Sequence, residues 1–181
     1  METKRILLRP FKNEDIIDVY EYLSQLKVHC FLDMKVEAMS EVSMVERVNH
    51  PENYFAIVLK EENKVIGEIF AFSGEGGLEY LNAYSPCWII NENYQGQGYM
   101  YEAACLFFDY LFEVKKARRI YAYTEDDNIV SQKLCERLGM RQEGLFKEFV
   151  SFINDEKGNP IYENTYQYAI LKKEWKVIEN E

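Results

Sequence analysis

Asn93-Tyr94-Gln95-Gly96-Gln97-Gly98-Tyr99 is the stretch on which the fold turns. The residues before it, ending in Trp88-Ile89-Ile90, are apolar and strand-like. After it, Ala103, Ala104, Phe107, Phe108 and Leu111 recur at helical spacing, the stripe of a helix packed on a sheet. A strand, a two-glycine turn and a helix therefore follow one another. Glycine lets the backbone turn sharply and approach a ligand without side-chain hindrance. The first amides of the helix have no intrahelical acceptor. With the helix dipole behind them, they form a site suited to a diphosphate. A Gly-x-Gly alone is also compatible with a simple tight turn.

Working outward, Arg5 to Pro10 reads as a first strand. Asn13 is a plausible helix N-cap ahead of Ile16, Ile17, Tyr20 and Leu23. Ser40 is expected to cap a short helix carrying Val42, Val45 and Val48. Tyr54 to Leu59 and Lys64 to Phe72 read as a hairpin, followed by a loop over Ser73-Gly74-Glu75-Gly76-Gly77. The helix after the glycine turn should run from about Gly98 to Val114. Arg119 to Tyr123 reads as a buried strand, and Asn128 to Leu138 as a helix ended by Gly139. Two closing strands, Gly144 to Ile153 and Ile161 to Leu171, are joined by a polar loop. The pattern implies one mixed α/β (α+β) domain over residues 1–181, built on a single central sheet.

Composition narrows the function. No apolar run approaches the ~20 residues that span a bilayer, and the first residues do not form a signal peptide, so a cytoplasmic location is expected. Cys30, Cys87, Cys105 and Cys135 form no Cys-x-x-Cys pair, and His29 and His50 have no ligand cluster nearby; no metal site is expected. Both histidines read as structural or surface groups. A net charge of −10 disfavours nucleic acid and favours a cationic partner, or simply keeps the chain soluble. A dinucleotide fold would need its third glycine at position 101, where Tyr101 stands, and no Gly-Lys-Ser/Thr follows the turn for a triphosphate loop.

The Gln95-Gly96-Gln97-Gly98 turn resembles the Gln/Arg-x-x-Gly-x-Gly/Ala signature of the GNAT superfamily of N-acetyltransferases. The longer string to Glu102-Ala103 is similar to the branch containing the ribosomal-protein N-terminal acetyltransferases. Arg5 to Pro10, Val65-Ile66-Gly67-Glu68-Ile69, Asn128-Ile129-Val130-Ser131, Glu136 to Met140, Glu143-Gly144 and Tyr168 to Leu171 resemble other segments of that branch, so nearly the whole chain is covered.

The resemblance implies a mostly antiparallel sheet in which two parallel strands splay apart around acetyl-CoA. Backbone amides from Gln95 through Gly96, Gln97, Gly98 and Tyr99 to Met100 would hold the diphosphate. Trp88, Ile89 and Ile90 would pair with the pantetheine arm, and Asn128 and Ser131 would reach the donor from the other side. The acceptor would be a small-molecule amine or a peptide N-terminus, which attacks the thioester directly. Glu68 matches a position where relatives carry a functional acid and is the candidate general base, or else an exposed strand carboxylate. Cys135 stands where many relatives have an acidic tyrosine; it is either the proton donor to the leaving thiolate or a small buried hydrophobe. Met100 replaces the family's usual Gly or Ala. Tyr80, Tyr84, Phe149, Phe152 and Tyr162 include candidates for an acceptor pocket. A homodimer is possible in this family. The competing reading is a catalytically silent acyl-CoA-binding regulatory module.

Overall fold

The computed structural model describes residues 1–73 and 81–175. The expected loop at 74–77 and Tyr80 lie outside the described residues. Seven strands form one sheet in the order β1-β2-β3-β4-β5-β7-β6. They are β1 Ile6–Arg9, β2 Tyr54–Leu59, β3 Lys64–Ser73, β4 Ala83–Ile90, β5 Arg119–Glu125, β6 Arg141–Asn154 and β7 Pro160–Leu171. Among these neighbours only β4 and β5 run parallel, and they pair only at Ala83↔Arg119 and Tyr84↔Ile120. Beyond Tyr84 the two strands part, which opens the sheet between residues 85–90 and the end of β5.

Helices α3 (Tyr99–Glu113) and α4 (Ile129–Arg137) cover one face of the sheet. The α3 stripe Ala103, Ala104, Phe107, Phe108 and Leu111 is buried there with Ile69, Ile120 and Ile170. Each large apolar side chain so buried stabilises the fold by about 1.5–3 kcal/mol. Helices α1 (Ile16–Ser24) and α2 (Val45–Asn49) cover the other face, where Val19, Leu23, Val58 and Ile89 meet. Alternation along the strands sorts their side chains: Trp88 and Ile90 face α3, whereas Cys87 and Ile89 face α1.

Gly67 explains how β3 and β4 pack so tightly. A Cβ at that position would lie 2.3 Å from the Ile89 carbonyl oxygen, so no other residue fits. Ile66 is extruded as a bulge against β2, because Ile57 pairs with Gly67 and Val58 with Val65. Its carbonyl accepts from the Asn91 amide at 2.8 Å, which fixes the exit of β4 into the glycine turn.

Two local expectations are corrected. Asn13 does not cap α1. A 3-10 turn, Asn13–Asp15, comes first, and the buried Asp15 carboxylate accepts from the Lys12 amide and from both Nη atoms of Arg9 at 2.7–2.8 Å. Ser40 caps no helix. Glu41 instead accepts from the amides of Glu37 and Ala38, and α2 begins only at Val45. In both cases a carboxylate captured the backbone donors before a hydroxyl or amide side chain could. No helix among the described residues is long and apolar enough to cross a membrane.

Candidate active site

The glycine turn sits at the C-terminal mouth of the splay. Asn91, itself buried, accepts from the Asn93 amide at 3.0 Å and donates to Glu21 at 2.8 Å, so β4 leaves the sheet along a fixed path. Gly96 and Gly98 take φ of +73° and +84°, and Gly98 is the N-cap of α3. Arg5 braces the turn from outside. It donates to the Gln97 carbonyl at 3.0 Å, forms an ion pair with Glu102, and lies 4.6 Å from the centre of the Tyr99 ring. Thr3 holds the second oxygen of Glu102 at 2.6 Å. With its carbonyl side pinned in this way, the turn offers its amides. Among the described residues, the N–H groups of Gly96, Gln97, Gly98, Tyr99, Met100 and Tyr101 donate to no protein acceptor. Donors with no protein partner at a helix N-terminus form a ready anion site.

A cavity of about 420 Å³ runs from this turn into the sheet, a size suited to a small ligand. Trp88, Ile89 and Ile90 form one wall, on the strand edge that β5 has left. Asn128 and Ser131 stand opposite. The Asn128 side chain caps α4 by accepting from the Ser131 amide at 3.1 Å, and the Ser131 hydroxyl accepts from Trp88 Nε1 at 3.2 Å. That bond spans the opening between β4 and α4. Gln95, Gly96, Gly98, Tyr99 and Met100 line the mouth. The structure thus brings together all the expected donor-site residues except Gln97, which does not line the cavity and whose carbonyl is held by Arg5. Met100 borders the cleft and leaves it open.

Neither catalytic candidate lines the cleft. Glu68 lies on β3 opposite Ile89 but is wholly buried and does not reach the cleft. Its oxygens are taken by Arg47 Nε and Nη2, at 2.6 and 2.8 Å, and by the Tyr22 hydroxyl at 3.2 Å. Both carboxylate oxygens are thus held inside the fold by Arg47 and Tyr22. Burial and the Glu68 charge push the Tyr22 hydroxyl well above its ordinary pKa, so it stays protonated. Cys135 points into the core and lines no part of the cleft. Burial pushes its thiol up to about 12, which suits a small hydrophobe and not a proton donor near neutrality.

Other cleft residues escaped the sequence reading. Val130, Leu134 and Arg137 share one side of α4 with Lys133, and all four line the cavity. Arg137 lies 3.8 Å from the centre of the Tyr101 ring, which fixes a cation at the cleft mouth. The signal was the basic pair at i, i+4 beside an apolar pair at the same spacing. Lys27, Val28 and Phe31 close the cavity from the segment after α1. That segment shows no periodicity, and nothing local announced it. Among the described residues no group of His, Cys, Asp and Glu side chains could hold a metal ion.

Sheet, splay and amide-lined turn together define an acetyltransferase of the GNAT type. Residues 5–141 match the Acetyltransferase (GNAT) domain family, and the chain belongs to that family. It is 34% identical over 177 residues to the uncharacterized N-acetyltransferase YnaD of Bacillus subtilis (strain 168), covering 96% of this chain and 97% of that protein. Among solved structures, the GNAT-family acetyltransferase from Bacillus anthracis superposes with a TM-score of 0.80 at 30% identity, covering 96% of this chain and 99% of that one. The ribosomal-protein-S5-alanine acetyltransferase from Vibrio fischeri, at 22% identity and a TM-score of 0.70, covers 97% and 98% and shares the fold.

Proposed function

We propose that this acetyltransferase takes its acetyl group from acetyl-CoA and passes it to an amine by direct attack on the thioester. The six amides from Gly96 to Tyr101 that have no protein acceptor, five of them on residues that line a cavity entering a parted pair of parallel strands, carry the donor assignment. They suit the diphosphate linkage of the donor, and Lys133 and Arg137 add positive charge beside them. The strand edge at residues 85–90 suits an extended pantetheine arm, which can hydrogen-bond to it as an added strand would. Asn128, Ser131 and Trp88 form the walls that keep that arm straight.

When bound, acetyl-CoA supplies an activated carbonyl. The chain's own contribution is to hold that carbonyl and the incoming nitrogen in register and to keep water out, which accounts for much of the rate gain in such direct transfers. Backbone donors on the β4 edge polarise the carbonyl. The acceptor approaches from the side of the segment after α1, where Lys27, Val28 and Phe31 border the cavity. Release of coenzyme A across an amine and peptide panel tests the assignment. Amine-dependent release is expected. Tight coenzyme A binding with no turnover on any amine would favour a silent binding module.

A further inference from the structure

On the α1 face, three side chains stand in a row across β5 and β7. Glu125 is directly opposite Thr165 in the strand register, and Glu163 lies two residues along β7 on the same side. Side chains so placed are within about 5–8 Å of one another. Glu125 and Thr165 are buried, at 6% and 2% exposure. The roof is the 3-10 turn His29–Met34. His29 Nδ1 lies 2.5 Å from Glu163 Oε1. Cys30 sits against Glu125 and near Cys87 of β4; burial and the Glu125 charge hold its thiol protonated. The row therefore begins beside the splay.

Its polar atoms are not satisfied by the protein. Glu163 Oε2 and Thr165 Oγ1 are buried and have no hydrogen-bond partner among the described residues. Buried polar atoms without partners are rare, because each costs about 1–3 kcal/mol. A carboxylate oxygen and a hydroxyl left without donors, with the Glu125 carboxylate beside them, call for a donor-rich cation, and an ammonium supplies three donors.

Next to the row is an apolar wall. Phe146 pairs with Thr165, and Phe149 stacks on Tyr123 with ring centres 6.0 Å apart; all three rings are exposed. A bulge in β6 builds this wall. The register jumps between Phe146 and Val150, Glu148 takes φ +48°, and its amide is held by Asn164 Oδ1 at 3.0 Å. The extra residues fold Phe149 back over Tyr123.

We infer that the acceptor is an aliphatic diamine whose non-reacting ammonium is seated by Glu163, Thr165 and Glu125, with its methylene stem along Tyr123, Phe146 and Phe149. This rests on the transferase reading above. The attacking nitrogen must shed its charge before it reacts, so it cannot be the permanent partner of a buried carboxylate row. A second ammonium keeps its charge throughout. The chain's net charge of −10 favours such a dication over a neutral or anionic acceptor.

Calorimetry on the coenzyme A-saturated chain, with 1,4-diaminobutane and 1-aminobutane as probes, tests this. The diamine should bind at least tenfold more tightly than the monoamine. Glu163→Gln should abolish that preference and leave coenzyme A affinity unchanged. Thr165→Val, which keeps shape and removes the free acceptor, should reduce it severalfold and guards against a folding defect in the first variant. Equal affinity for the two amines, or a preference that survives both substitutions, would overturn the inference while leaving the transferase reading intact. Failure of the wild-type chain to bind coenzyme A would instead strike the transferase reading. Phe149→Ser should weaken diamine binding and leave the sedimentation coefficient unchanged. A dimer that this substitution dissociates, with diamine affinity unaltered, would assign the aromatic wall to a second copy and overturn the inference.

Discussion

Replacing Gly98 by valine puts a β-branched side chain where φ is +84°. Such a conformation costs about 1–3 kcal/mol for a non-glycine residue. The new Cβ would also approach Arg5 Nη2 to 3.3 Å, and that nitrogen is already bonded to the Gln97 carbonyl and to Glu102. The turn can relieve both problems only by rotating, which swings the Gly98 and Tyr99 amides off the cleft. A hydrogen bond to a charged group is worth about 1.5–3 kcal/mol, so losing two weakens binding by about 3–6 kcal/mol, or roughly 10²- to 10⁴-fold. The fold suffers less, since each kcal/mol of strain lowers Tm by about 2–4 °C in a chain of this size. Calorimetric titration with coenzyme A and a thermal melt read the two effects separately. Gly96→Ala is the control: its Cβ meets nothing within 4 Å, so it adds backbone strain without a clash, and the loss should stay below about tenfold. A Gly98→Val variant that melts lower yet binds coenzyme A as well as wild type would refute the reasoning.

Three further outcomes follow from the same geometry. Glu68→Gln leaves the Arg47 guanidinium buried without its counter-charge, which should cost about 3–5 kcal/mol in urea unfolding; kcat per folded molecule, measured below the melting range, should change less than threefold, and a normal melt with collapsed kcat would restore Glu68 as the base. Asp15 is held below the ordinary carboxylate range: burial works against this, but the bonds from Arg9 and the Lys12 amide prevail. Its stabilisation is therefore complete above the unfolded pKa and lost as pH falls through the folded value, so Asp15→Asn should cost roughly 2 kcal/mol at pH 7 and progressively less as pH falls below the unfolded pKa; a cost that does not change with pH would contradict the pairing. Cys135→Ala should retain kcat within about twofold and lose stability by roughly 1 kcal/mol, whereas a kcat reduced a hundredfold in a well-folded variant would put the thiol back in the mechanism.

The elements nearest the donor site were legible because their signals are local. The glycine turn, the α3 stripe and the Gly139 stop each declare themselves within a few residues, and the observed bounds differ from expectation by one or two positions. The splay followed from family resemblance; no local pattern encodes where β4 and β5 part. The burial of Glu68 was not legible because it depends on Arg47, 21 residues away on a short helix that the valine spacing had placed differently. His29 read as a structural or surface group for the same reason, since its partner Glu163 lies 134 residues along the chain. Cys135 shows the converse: a single residue in α4 matched a functional position, yet the helix turns it to the core and gives the cleft to Leu134. Charge partners and helix rotation are set by packing, and a linear pattern records neither.

The amides of Gly96 to Tyr101 can be watched one by one. In ¹⁵N-labelled protein titrated with coenzyme A, those six N–H groups should shift together and exchange with solvent far more slowly in the bound state. Coenzyme A that binds tightly while their exchange rates stay as they were would mean that the diphosphate sits elsewhere.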